Sequence, residues 1–258
     1  MKLQDRHVVI TGAGRGIGAA LATRFYRDGA RVTVADRAGA ATVADALGDR
    51  AIGITANVAT EAGNAALIDE DEAAFGPVDL FFANAGIGGG TDLEHTSEAA
   101  WQATFDVNVN AHRWAVRRLL PGWLERGEGY FCSTASAAGL LAQIGSAPYS
   151  VTKRAAVAFA EWVAITYGDR GIRVSCLCPQ GVNTAMLNDD HSGVTDIVRA
   201  AGEVLEPDQV ADVVAEAIAT ERFLILPHPE VQRFMQHKAT DPERWLAAMR
   251  ALQARVLG

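Results

Sequence analysis

Four glycines at alternate positions, in Thr11-Gly12-Ala13-Gly14-Arg15-Gly16-Ile17-Gly18, separate a short β-rich run at 7–11 from an Ala- and Leu-rich stretch at 19–26. The second stretch reads as a helix ending near Gly29. A strand-like run at 31–35 follows at once, and the rhythm continues with strands predicted at 51–55, 80–83, 130–133, 173–177 and 223–226 and helical stretches between them. Seven strands alternating with helices predict one parallel sheet covered on both faces. The chain has 258 residues, 49% of them hydrophobic, with no long Pro/Gly/Ser linker, low-complexity tract or solenoid repeat, so a single domain with an ample core is expected.

Charge narrows the partners. A net charge of −8 disfavours broad electrostatic binding to nucleic acid or to an anionic membrane, which leaves small molecules. Three cysteines make no framework of spaced pairs, and Cys176-x-Cys178 in a β-like run reads as buried thiols rather than a metal site. The apolar run near the N-terminus is too short for a signal-peptide core, and a cytoplasmic protein is expected. The six histidines have no metal-ligand spacing, so no metal is assigned. The acidic run Asp69-Glu70-Asp71-Glu72 reads as a solvated helix face, and the tryptophans as core packing. The polar, weakly periodic segment at about 183–206 predicts a substrate lid. Asp241-Pro242 starts a C-terminal helical tail at about 241–256, whose stripe of Trp245, Met249, Leu252 and Val256 covers either its own subunit or a neighbour.

Glycines between a strand and a helix let backbone approach a pyrophosphate and set it at the helix N-terminus, where unpaired N–H groups and the helix dipole favour anions. The spacing here is G-x-x-x-G-x-G, and its context points to a nucleotide. Asp36 closes the second strand about 20 residues on, placed to accept hydrogen bonds from adenosine ribose hydroxyls and to repel a 2′-phosphate. Arg15 and Arg37 pull the other way, since either can pair with that phosphate. The balance favours NAD over NADP.

Tyr149 and Lys153 stand four residues apart on a predicted helix, hence on one face. With four Tyr and three Lys in the whole chain, a chance Tyr-x-x-x-Lys is expected far less than once. Bringing a phenol from about 10 to about 7 requires roughly 4 kcal/mol, which the ammonium, an oxidised nicotinamide and partial desolvation are expected to share. Ser136, just after a strand, offers a small hydroxyl; taken alone it is a turn residue.

Together, Thr11 to Gly18, Asp36, Asn84-Ala85-Gly86, Asn108, Ser136, Tyr149 with Lys153, and Pro179 followed by Thr184 resemble the classical short-chain dehydrogenase/reductase family over nearly the whole chain. The resemblance implies a single-domain, doubly wound (Rossmann-type), mostly parallel α/β sheet and hydride exchange between a nicotinamide and a secondary alcohol or ketone. It implies Tyr149 as general acid/base, Ser136 orienting the reacting oxygen, Lys153 tuning the phenol and holding ribose, and Asn108 supporting a proton relay. Gly12, Gly14, Arg15, Gly16, Ile17, Gly18, Asp36, Arg37, Asn57, Val58, Asn84, Ala85, Gly86, Pro179, Val182 and Thr184 would line the cofactor. The substrate pocket would take Leu140, Leu141, Gln143, Ile144, Gln180, Met186 and Leu187, an apolar set. The family also implies a homo-oligomer, commonly a tetramer. Two departures stand out: Asn57 where Asp is usual, and Cys178-Pro179-Gln180-Gly181 where Pro-Gly is usual, so that Gln180 either tolerates a tight backbone or passes the glycine's part to Gly181. An NADPH-linked reductase and a cofactor sensor without chemistry are the alternatives.

Overall fold

The computed structural model describes residues 1–189, 197–199 and 202–257. Strand β1 (His7–Thr11) lies between β2 (Arg31–Asp36) and β4 (Leu80–Ala83). Outward from β2 comes β3 (Ala51–Thr55); outward from β4 come β5 (Gly129–Thr134), β6 (Ile172–Leu177) and β7 (Leu224–Ile225). The order is β3-β2-β1-β4-β5-β6-β7, and every pairing is parallel. The side of β1 on which successive strands are added therefore switches between β3 and β4, which opens a crevice at the strands' carboxyl ends between β1 and β4.

Helices α1 (Gly16–Arg27) and α2 (Ala40–Leu47), with the Pro207–Ala219 helix, cover one face; α3 (Glu61–Phe75), α5 (Ala111–Arg126) and α7 (Ala147–Tyr167) cover the other. Side chains on a strand alternate between faces, so Val8 and Ile10 pack with Leu21, Phe25 and Val214 while Val9 packs with Leu67, Ile68 and Trp123. Burial on both faces explains why the central strands read as largely apolar runs. Helix α4 (Glu98–Phe105) passes into α5 through a π-helical turn, Asp106–Asn110, and short α6 (Ala137–Leu141) leads from β5 toward α7.

The sequence reading needs three corrections here. Asp71 is fully buried, not part of a solvated face, because Thr33 donates to its carboxylate and His7 Nε2 lies 3.0 Å from it. Trp162 is 55% exposed, whereas Trp123 is the tryptophan locked in the core, its indole N–H donating to Val78 O at 2.8 Å. The final strand is two residues long rather than four. In the tail, Asp241 caps the Pro242–Leu257 helix by accepting from Arg244 N–H at 3.0 Å, and Trp245 meets Phe234 of the preceding helix with ring centroids 6.3 Å apart. Trp245 of the stripe thus packs against a helix of its own chain.

Val182 and Leu205 form a parallel bridge, so the ends of the expected lid are tied together. Ala185–Asn188 is helical; residues 190–196 and 200–201 of that segment lie outside the described residues. Among the described residues, no helix is long and apolar enough to cross a membrane.

Candidate active site

A continuous cleft of about 1960 Å³ runs along the carboxyl ends of the strands, from the glycine turn past Asp36 to Tyr149 and Met186. Its first wall is the turn between β1 and α1. Gly12 and Gly16 have φ of 64° and 58°, a region that suits glycine. A Cβ on Gly12 would stand 2.7 Å from Ala85 Cα, and one on Gly16 would come within 3.3 Å of Thr184 across the cleft. Bare backbone therefore keeps this neck open. Helix α1 has no acidic residue in its first turn and its N-cap, Arg15, makes no side-chain capping bond. By contrast α3 and α4 are capped by Thr60 and Ser97. The uncapped first-turn N–H groups of α1 face the cleft and fit an anionic diphosphate.

Asp36 is held rigidly at the end of β2. Gly14 N–H donates to its Oδ2 at 2.9 Å, and Arg37 N–H and Ala38 N–H donate to its Oδ1 at 2.6 and 3.3 Å. Arg15, Arg37, Asn57 and Val58 line the same end. The Asn57 side chain turns back on its own loop, accepting from Ala59 N–H at 3.2 Å. Asn84 also serves the framework: its amide donates to Thr11 O and Gly12 O and accepts from the Thr134 hydroxyl, joining the ends of β1 and β5. Ala85 and Gly86 continue the wall.

At the other end, the structure brings Ser136, Tyr149 and Lys153 together. Pro148 sits in the first turn of α7, and the helical period puts Lys153 Nζ 5.5 Å from the Tyr149 ring centre. Ser136 caps α6 by accepting from Ala138 N–H at 3.1 Å, its hydroxyl donates to Pro179 O at 3.4 Å, and it lies beside the Tyr149 phenol. Lys153 donates to Thr134 O at 2.9 Å. Burial pulls its ammonium down to about 8. Burial also raises the Tyr149 phenol above its ordinary value, with the Ser136 hydrogen bond opposing. The sequence reading had desolvation helping to lower the phenol; it acts in the opposite sense, because a low-dielectric setting disfavours the charged form of either group.

Asn108 stands in the π-turn, fully buried. Its Oδ1 accepts from Ile87 N–H at 2.9 Å while its Nδ2 donates to Ile87 O and to Thr152 Oγ1. A Cβ on Gly86 would lie 3.1 Å from Lys153 Nζ and 3.4 Å from Asn108 Oδ1, so the three are neighbours. Of the expected pocket residues, Gln143, Gln180, Met186 and Leu187 line the cleft; Leu140 and Leu141 pack into the core instead, and Ile144 stands outside the lining. Val182, Thr184 and Pro179 do line it. The Thr11 hydroxyl accepts from Asn84 N–H and Ala85 N–H, and residues missed in the sequence are Thr152 and His228. Thr152 lies three residues from Tyr149 on the same helix face, a signal that was there to find. Among the described residues no cluster of His, Cys, Asp and Glu suits a metal.

A family model described as short chain dehydrogenase matches residues 6–194. The chain is 35% identical to 1-deoxy-11-beta-hydroxypentalenate dehydrogenase of Streptomyces exfoliatus, covering 93% of this chain and 90% of the relative. It is 31% identical to 17-beta-hydroxysteroid dehydrogenase 13 of Rattus norvegicus, covering 95% and 82%. A solved short chain dehydrogenase/reductase from Burkholderia phymatum, in complex with NAD, superposes with a TM-score of 0.87 at 31% identity, covering 94% of this chain and 96% of the other.

Proposed function

This chain belongs to the short-chain dehydrogenase/reductase family of oxidoreductases acting on hydroxyl or ketone substrates, and from that premise we propose an NAD(H)-dependent dehydrogenase of a mostly apolar secondary alcohol. The observation that carries the reading is the convergence of Ser136, Tyr149 and Lys153 on one end of a cleft whose other end is Asp36. The glycine turn and the α1 N-terminus would hold the cofactor's diphosphate, Asp36 its adenosine ribose, and Asn57 with Val58 its adenine. Lys153 would hold the second ribose, and Val182 and Thr184 the carboxamide. Bound nicotinamide supplies the hydride acceptor in oxidation and the donor in reduction.

Tyr149, as phenolate, takes the hydroxyl proton of the alcohol, and as phenol it returns a proton to the ketone oxygen. Ser136 donates to the same oxygen from a position fixed by its capping bond. The Lys153 ammonium stabilises the phenolate, offsetting the burial that raises the phenol. Asn108 pins Ile87 and so fixes the wall beside Lys153; it also supports the proton's exit by water. The name of one relative, a dehydrogenase of a hydroxysteroid, supports an apolar alcohol as substrate. An assembly of identical subunits, a tetramer by family resemblance, accords with the exposure of Trp162 and Ile165 on α7.

The reading is tested with a panel of alcohols and ketones and both nicotinamide cofactors, followed by absorbance. Tyr149→Phe is expected to bind NADH as the wild type does and to lose at least ~10²-fold in turnover. Turnover near wild type would remove Tyr149 from its role. A second reading, NADP-linked reduction, draws on Arg15 and Arg37 beside Asp36, and the same assay with both cofactors separates the two.

A further inference from the structure

The Pro179-Gln180-Gly181 loop borders the reacting end of the cleft, yet nothing in its own backbone explains its course. Neither Gln180 nor Gly181 has positive φ, so the glycine usual after the proline is not replaced by a left-handed residue one place on. Gly181 serves another purpose: a Cβ there would stand 2.8 Å from Val198 and 3.2 Å from Val204, side chains of the lid segment. The loop is held from outside. Ala137 N–H and the Ser136 hydroxyl donate to Pro179 O, Leu205 N–H donates to Gly181 O, and two further ties come from one ring, that of His228.

His228 follows β7, is 1% exposed, and lies 47 residues from Gly181 in sequence. Its Nδ1 sits 3.1 Å from Gln180 N, which is a donor, and its Nε2 sits 3.0 Å from Gly181 O, which is an acceptor. A single arrangement satisfies both: Nδ1 bare and accepting, Nε2 protonated and donating. We propose that His228, as the neutral Nε2–H tautomer, is a positioning residue that clasps the backbone of two successive residues of the loop and thereby sets the wall at 179–184 against which cofactor and alcohol are held.

Protonating the ring would add a second N–H to it, at Nδ1, pointing at the Gln180 N–H. The clasp therefore requires the neutral form. Burial favours that form, holding the imidazole below its ordinary value against the pull of Glu203 and Glu230, the charged groups facing it. The consequence is a wall that loosens only in acid.

The proposal rests on the dehydrogenase reading for its kinetic test but not for its spectroscopic one. Nitrogen NMR of ¹⁵N-histidine-labelled protein, with His228 assigned by its loss in His228→Asn, is expected to show the Nε2–H tautomer at neutral pH. An Nδ1–H tautomer or an exchanging average overturns the clasp even if no alcohol is ever found. Kinetically, an asparagine keeps an acceptor near Gln180, a glutamine keeps a donor near Gly181, and leucine keeps neither. His228→Leu is expected to raise the KM for NAD and for alcohol by about tenfold while turnover falls less than threefold, with the two amides in between. The wild type should also lose kcat/KM on an acid limb, lying below the range of an ordinary imidazole, that His228→Asn lacks. Unchanged KM in His228→Leu, or an identical acid limb in His228→Asn, overturns the proposal. If the leucine variant does not fold, the amide variants and the nitrogen shifts decide.

Discussion

Lys153 shows what a functional group costs its fold. Its ammonium, buried and hydrogen-bonded to a single carbonyl, is drawn down to about 8 from an ordinary 10.5. Between those values the unfolded chain holds a proton that the folded chain has released, so the sign is fixed: this residue's contribution to stability rises as pH climbs from about 8 to about 10.5, and below about 8 the buried charge is a burden. The full displacement corresponds to about 3 kcal/mol. The melting temperature of the wild type relative to Lys153→Met is thus expected to increase over that window. A difference that stays flat with pH would mean that the ammonium remains solvated. The Tyr149 phenol is displaced by the same burial, which is why neither member of the pair explains the other alone.

Asp36 acts through the element it ends as much as through its charge. Three backbone N–H groups from two loops converge on it, so the carboxylate both faces the cleft and fastens the glycine turn to β2. Asp36→Ser is expected to narrow the preference for NAD over NADP in kcat/KM and, in the same protein, to lower the melting temperature. A wild type that prefers NADP would show that Arg15 and Arg37 dominate. Where α3 crosses the sheet, Asp71 joins His7 of β1 and Thr33 of β2, and its Oδ2 has no hydrogen-bond partner. Asp71→Ala leaves His7 and Thr33 facing a void and is expected to destabilise by about 3–5 kcal/mol in urea unfolding. A change below 1 kcal/mol would mean that the pair contributes nothing. These two acids illustrate what a sequence discloses. Asp36 was legible because its place at a strand end, a fixed distance past a glycine turn, is local. Asp71 was misread because its partners lie 64 and 38 residues away, and an acidic run on a helix carries no mark of which member turns inward. The π-turn at Asp106–Asn110 was missed for a similar reason, since one added residue per turn is written in hydrogen bonds rather than in composition.

Across the whole molecule, the strand rhythm foretold the sheet because the central strands are buried on both faces and so keep their apolar signature. Tyr149 and Lys153 were legible through the helical period. The pocket was less so: Leu140 and Leu141 look like lining by position but face the core, while His228 reaches the loop from across the chain without any local motif. What remains around Tyr149 is mainly Met186, Leu187 and two glutamines, with no arginine lining that end among the described residues. Apolar alcohols are expected to exceed phosphorylated or carboxylated ones in kcat/KM by at least tenfold, and Met186→Lys to raise KM for the best apolar substrate. Preference for a charged substrate would refute this view of the cleft. The strand order has a further consequence, for synthesis. Starting from β1, the chain adds β2 and β3 to one side and then β4, β5, β6 and β7 in turn to the other. No strand has to be wedged between two already paired, so each one leaving the ribosome finds a vacant edge waiting for it, and the sheet can grow in the order in which it is translated.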